Sequence, residues 1–372
     1  MAMAENGKPL LVTVQVLRAV AALGVVFYHV HIIGGQRGFD FGAFIGRWAE
    51  VGRMGVSLFF VLSGFIICFA HRRDIGAPDR LGRYCWKRFA RIYPTYWIFS
   101  LLYVSAALAG LGDSDFIYDS GHILSAVTLL PFVESPLPPL LVAWTLFYEV
   151  KFYLAFGVLI WNRALGIGVF AVWLVYLAAS YRFGLADPFR LWTLWNAHFF
   201  LGCGAYWLYR RFGQSGVGQG MSGQVPALGA IGLGLGGLAL SVALTDFRLE
   251  PIDGSNNEVV VLIALSFALV IAGMARADAL LAPWCGRGLR YLGDASYSLY
   301  LVHSAVISLC FIVAARVPAL ARLDPVLTYF GVAVLAVAGG CMAHSLVERP
   351  LLRFVGRFAP ARGNRGTMAV PA

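Results

Sequence analysis

Apolar residues run along this chain in blocks of about twenty, broken by short polar segments. A helix crossing a bilayer needs about 20 mostly apolar residues, and one inside a bundle tolerates a few polar ones facing inward. That template predicts ten spans, over residues 10–33, 52–70, 92–110, 142–160, 165–181, 191–209, 226–245, 258–275, 295–315 and 326–346. The stretch 122–133, HILSAVTLLPFV, is apolar but short, and reads as a re-entrant or interfacial helix before the fourth span. The expected fold is all-α, a polytopic transmembrane helix bundle.

Composition agrees with the pattern. Hydrophobic residues make up 59% of the 372 and charged ones 13%, and the mean hydropathy is +0.74. A chain of this balance cannot hide its apolar surface in one water-soluble core, so lipid serves as its solvent. The net charge of +10 would point to nucleic acid in a soluble protein. Here the basic residues cluster between apolar runs, which favours membrane topology over a nucleic-acid partner.

Their distribution orients the chain. With the N-terminus in the cytoplasm, the flanking Lys and Arg number 19 on that side and 8 on the other. Asp113, Asp115, Asp119, Asp246, Glu250 and Asp253 fall in outward loops. Both termini are therefore expected in the cytoplasm, with an even number of spans. The expected organisation is a cytoplasmic N-terminal segment at 1–9, a transmembrane domain at 10–350 and a basic cytoplasmic tail at 351–372. No stretch reads as a separate soluble domain, and the first apolar run is too long for a cleavable signal peptide.

Several features carry no special chemistry. The six cysteines (Cys68, Cys85, Cys203, Cys285, Cys310 and Cys341) lack CxxC or metal spacing and read as buried thiols, so no metal is expected. The run LGAIGLGLGGL at 228–238 has no strand before it and no Lys or Asp partner, so it reads as small residues for helix packing through Gly232-x-x-x-Gly236.

Ionisable groups inside spans cost several kcal/mol and are functional candidates by default. Here they are Arg18, His29, His31, Glu149, Lys151, His198, His303 and His344. Arg18 and His29 are eleven residues apart, only about 20° off three full turns, so they share a face. The rise per residue separates them by about 16 Å along the axis. A cation below and a titratable imidazole above suit an elongated anionic ligand entering from the cytoplasm. The plainer alternative is a snorkelling arginine and an interfacial histidine.

Glu149 is expected at a depth similar to His29, where it would orient the imidazole or bind a sugar hydroxyl. A structural pair with Arg53 or Lys151 is its alternative. In RLGRYCWKRFARIYP (80–94), Arg88 and Arg91 sit one turn apart at the mouth of the third span, where two guanidinium forks suit phosphates. Coenzyme A and an anionic lipid headgroup both supply such phosphates. His198 and His344 read as packed, satisfied rings, and His303, after a Ser/Tyr-rich stretch, as a second-tier candidate. No Ser-His-Asp arrangement or HExxH motif appears.

Six segments, QVLRAVAALGVVFYHV (15–30), GVSLFFVLSGFII (55–67), KRFARIYPTYW (87–97), WTLFYEVKFYL (144–154), LGDASYSLYLVH (292–303) and VERPLLR (347–353), occur in an order that resembles the acyltransferase-3 family of bacterial membrane proteins. The nearest likeness is to the exopolysaccharide-production acyltransferases. The resemblance implies a ten-helix bundle in the bacterial inner membrane that O-acylates surface or secreted glycans, with acyl-CoA, usually acetyl-CoA, as donor. It puts the family's Arg-x10-His motif on Arg18 and His29, its Arg-x-x-Arg motif on Arg88 and Arg91, and its carboxylate on Glu149. Many members carry Asp where this chain has Ser57. The implied site has His29 and Glu149 as catalytic residues and Arg18, Arg88 and Arg91 binding the donor. The implied partners are a glycan or lipid-linked oligosaccharide acceptor, membrane lipid and the polysaccharide-synthesis machinery. Two competing readings are a transporter or flippase for a lipid-linked glycan and a structural scaffold.

Overall fold

The computed structural model describes residues 11–110, 116–134, 136–185, 193–214, 224–247, 257–317, 320 and 322–360. The N-terminal segment 1–9, the tail beyond residue 360, and Asp113, Asp115, Arg190, Arg248, Glu250 and Asp253 lie outside them. Among the described residues there is no β-strand.

A helix overlaps each of the ten stretches expected to span. They are α1 (Val12–Gln36), α3 (Met54–His71), α4 (Leu81–Leu108), α6 (Trp144–Trp161), α7 (Arg163–Phe183), α8 (Trp195–Gln214), α9 (Val225–Leu244), α10 (Asn257–Arg276), α12 (Arg287–Arg316) and α13 (Pro325–Ala343). Shorter helices are α2 (Gly42–Val51), α5 (Ser120–Thr128), α11 (Asp278–Leu281) and α14 (Arg349–Gly356). Eight segments are long and apolar enough to cross a membrane: α1, α2 with α3, α6 with the turn before it, α7, α9, α10, α12, and α13 through α14. Such helices satisfy their own backbone groups, which a lipid solvent cannot do. The other two long helices, α4 and α8, are less apolar. α4 carries Arg83, Lys87, Arg88 and Arg91 in its first three turns.

α4 also begins far earlier than expected. The sequence suggests a span from 92 with Pro94 near its start, yet the helix starts at Leu81 and passes through Pro94. Its 28 residues make about 42 Å of helix. Arg88 and Arg91 are thereby helical residues with fixed directions.

α1 lies at the centre, packed between α12 and α3, with α13 behind α12. Its first turn is capped from a distance: the Thr13 backbone N–H and hydroxyl both donate to Asp278 Oδ1, at 2.7 Å each. α3 meets α8 so closely that a Cβ on Gly64 would run into the Phe199 carbonyl, and one on Gly202 into that of Val61. α9 packs on α10 in the same way, but through other glycines than expected. A Cβ at Gly232 or Gly236 meets nothing within 4 Å, whereas one at Gly234 would stand 2.5 Å from the Ser266 carbonyl oxygen. Spacing alone leaves open which side of an all-apolar helix turns inward. The outer helices α7 and α9 bury 17% and 22% of their most apolar segments, against 67% for α6, so polar chemistry concentrates on the inner helices.

Candidate active site

The stripe on α1 faces one on α12. Arg18 donates from Nη2 to Ser296 Oγ at 2.9 Å, and His29 packs edge-on to His303 with ring centroids 4.8 Å apart. At these two levels the bundle holds two cavities.

Arg18 lines the first, an arginine cavity of about 500 Å³, together with Lys87, Arg88 and Arg91 of α4 and Glu149 of α6. Four cations thus face one carboxylate. The Arg88 guanidinium lies over the Tyr84 and Tyr153 rings at 6.0 and 5.3 Å, and its Nη2 is 3.3 Å from His71 Nε2. Arg91 lies over the Tyr297 ring at 5.1 Å. Such stacking orients a guanidinium fork for in-plane contacts with anions. Glu149 accepts from Ser63 Oγ at 3.0 Å and from the Tyr153 hydroxyl.

Arg91 is held by a residue to which the sequence alone assigns no role. Its Nη1 donates to Glu348 Oε1 at 2.8 Å. Oε2 of the same carboxylate accepts from Ser298 Oγ at 2.7 Å and from His344 Nδ1 at 2.8 Å. Glu348 is fully buried, and a buried carboxylate persists only when its oxygens are hydrogen-bonded. The expected span ends at 346. Instead a π-turn over His344–Glu348 carries the helix through to Gly356. The available signal is His344 and Glu348 at i, i+4, on one helix face.

The second cavity, about 540 Å³, contains His29 with Tyr28, Gln36, Trp144, Ser304 and Ser308 on its walls. Carbonyl oxygens only accept, so they dictate the tautomers here. His303 Nδ1 lies 2.8 Å from the Tyr300 carbonyl oxygen and 3.1 Å from that of Leu299. It therefore carries the proton, and Nε2 of the neutral ring holds a lone pair. That nitrogen is 3.2 Å from His29 Nδ1, which is also 2.9 Å from the Val25 carbonyl oxygen. His29 is thus protonated at Nδ1 and bears its lone pair on Nε2.

The structure brings Arg18, Arg88, Arg91 and Glu149 to one cavity and leaves His29 in the other. Glu149 is not level with His29. Trp144 lines the histidine cavity and Glu149 the arginine cavity, five residues or about 7.5 Å farther along α6. Leu140, Val142 and Ala143 are buried, so the chain enters α6 from inside the bundle, and counting turns from an assumed surface misplaces the carboxylate. Lys151 lies over the Tyr148 ring at 4.3 Å. His198 and His344 are buried packed rings, and His31 faces a separate groove with Asp40 and Glu50. Among the described residues no three His, Cys, Asp or Glu side chains gather as a metal site.

The sequence profile of an acyltransferase domain, that of the acyltransferase-3 family, matches residues 11–344. The chain is 30% identical to the exopolysaccharide production protein ExoZ of Rhizobium meliloti, over 83% of this chain and 92% of that protein. It is 25% identical to the peptidoglycan O-acetyltransferase OatA of Listeria monocytogenes, over 79% of this chain and 49% of the relative. It is 24% identical to the putative peptidoglycan O-acetyltransferase YrhL of Bacillus subtilis, over 79% of this chain and 48% of the relative. The chain thus spans about half the length of these two O-acetyltransferases. No solved structure matches it significantly.

Proposed function

The chain belongs to the acyltransferase-3 family, and from that premise we propose that it moves an acyl group, taken as acetyl, from cytoplasmic acyl-CoA to a hydroxyl of an exopolysaccharide or other surface glycan. It does so as a multi-pass protein of the bacterial inner membrane with ten spans and both termini in the cytoplasm. The observation that carries this reading is the pairing of a four-cation cavity, which Arg18 of α1 enters, with an imidazole on the same α1 held in one tautomer by α12. The phosphates of CoA suit Arg88, Arg91 and Arg18. Glu149 offsets part of that charge and accepts from the amide N–H groups of the pantetheine arm.

At the other end of the path, the acceptor hydroxyl meets His29. The lone pair on Nε2 takes its proton as the oxygen bonds to the thioester carbonyl carbon. The C–S bond breaks, and the departing thiolate is protonated to free CoA. Alternatively Nε2 attacks the carbonyl first and hands the acyl group on as an acyl-imidazole. In both routes the acyl group ends on oxygen and the thiol leaves. Trp144, Ser304 and Ser308 offer an aromatic face and hydroxyls to a sugar. A lipid-linked oligosaccharide, presented by the polysaccharide-synthesis machinery, suits a cavity at that level.

The test compares the surface glycan of a deletion strain complemented with the wild type or with His29→Ala. Mass and NMR spectra are expected to gain one acyl group per modified residue with the wild type and none with the variant. The variant should reach the membrane in equal amount. Full acylation by His29→Ala would sink the assignment.

A further inference from the structure

The arginine and histidine cavities share no lining residue. Between them Val25, Val142 and Tyr300 form a buried cluster of their own, with Val56 and Phe59 packed against it. Val56, Phe59 and Tyr300 face the arginine cavity, and Val142 faces the histidine cavity. The Phe59 and Tyr300 rings meet edge to face at 5.6 Å. The Tyr300 hydroxyl donates to the Val142 carbonyl at 2.9 Å and lies 3.0 Å from Thr145 Oγ1. This ties α12 to the start of α6. The backbone carbonyl of the same tyrosine receives the His303 Nδ1–H, so one residue closes the wall and anchors the pair that orients His29.

An acyl carbon whose CoA phosphates are held by the arginines must cross this wall to reach His29. We infer that the wall is an acyl-length filter, with Phe59 and Val142 as its sides and Tyr300 as its latch, admitting short uncharged acyl groups. The inference rests on the acyl-transfer reading above. Its physical basis is packing: interiors as dense as this yield to a small group by side-chain rotation, and each further methylene forces neighbours off their rotamers. A charged acyl group such as succinyl is excluded for a second reason. Its carboxylate would cross an apolar wall in which the Tyr300 and Thr145 hydroxyls are already bonded to one another and to the backbone.

The experiment uses inverted membrane vesicles from the deletion strain expressing each variant, which carry their endogenous acceptor. Acetyl-, propionyl-, butyryl- and succinyl-CoA are supplied in turn, and acyl groups on the glycan are counted by mass spectrometry. Wild-type vesicles should transfer butyryl at less than about a tenth of the acetyl rate, and succinyl not at all. Phe59→Ala and Val142→Ala should each raise the butyryl-to-acetyl ratio about tenfold or more. Tyr300→Phe, which keeps the ring and cuts the tie to Val142, should move it the same way and stands in if an alanine variant fails to insert. Phe267→Ala, on α10 and lining neither cavity, should leave the ratio unchanged. Wall variants that transfer acetyl with a wild-type ratio overturn the filter alone. An equal rise with Phe267→Ala also overturns it, because general loosening then suffices. Wild-type vesicles that transfer no acyl group from any donor remove the acyl-transfer reading, and the filter with it.

Discussion

The two cavities are nearly equal in size, about 500 and 540 Å³, yet they use polar side chains in opposite ways. In the arginine cavity charge is abundant and firmly tied. Arg91 is bound to Glu348, whose carboxylate also holds His344 and Ser298. Glu149 accepts from both Ser63 and Tyr153. In the histidine cavity polarity is sparse, and its value lies in direction. Two imidazoles and three backbone carbonyls leave one lone pair, on His29 Nε2. In the proposed function the first region would hold a multiply charged ligand, and the second would present one reactive atom. Binding tolerates a distributed, redundant set of cations, whereas proton transfer depends on a single tautomer.

Substitutions that separate these two roles test the comparison. The largest effect is expected from His29→Ala, with a loss of acyl transfer of about a thousandfold, within the range of general base catalysis, and no change in thermal stability. Next is Glu348→Ala, which strands Arg91 beside a buried void and should cost about 3–5 kcal/mol. Its melting temperature in detergent should fall well below that of Glu348→Gln, which keeps the shape and most of the hydrogen bonds.

Arg88→Ala should raise the KM for acetyl-CoA by about ten- to a hundredfold, the value of a charge-assisted contact, with kcat nearly unchanged. His303→Ala should do the reverse, lowering kcat by about tenfold, one hydrogen bond's worth of orientation, at constant donor KM. His303→Gln, whose amide both accepts and donates, should recover part of that loss. Equal KM and kcat effects from Arg88→Ala and His303→Ala would erase the distinction between the cavities.

The smallest effect belongs outside both. Asp119 caps α5 by accepting from the His122 backbone N–H at 2.9 Å. That bond, then the His122 ring, holds its carboxyl below the usual carboxylate range. The cap is fully present above the ordinary value and is lost as pH falls through the lowered one. Asp119→Ala should speed hydrogen exchange over 120–128 without changing acyl transfer.

Much of the architecture is legible in the sequence, because twenty-residue apolar blocks have few ways to satisfy their backbone in lipid. The shared face of Arg18 and His29 follows from helical period, and both do face α12. Arg88 and Arg91 are legible as a pair one turn apart. Glu348 is not, because a π-turn leaves no local signature and its partners Arg91 and Ser298 lie on other helices. Nor is the role of His303, since what it does depends on a residue 274 positions away.

What the sequence by itself determined is an all-helical membrane protein of the acyltransferase-3 family, with its cations and imidazoles at set heights along set helices. Only the tertiary structure decided which of these groups meet. It set Glu149 among the arginines, paired His303 with His29, and raised Val25, Phe59, Val142 and Tyr300 into a wall between the two cavities. The physical reason is that periodicity acts within one helix, whereas a site is made where side chains from four helices converge. The depth and rotation of each helix are set by packing against its neighbours.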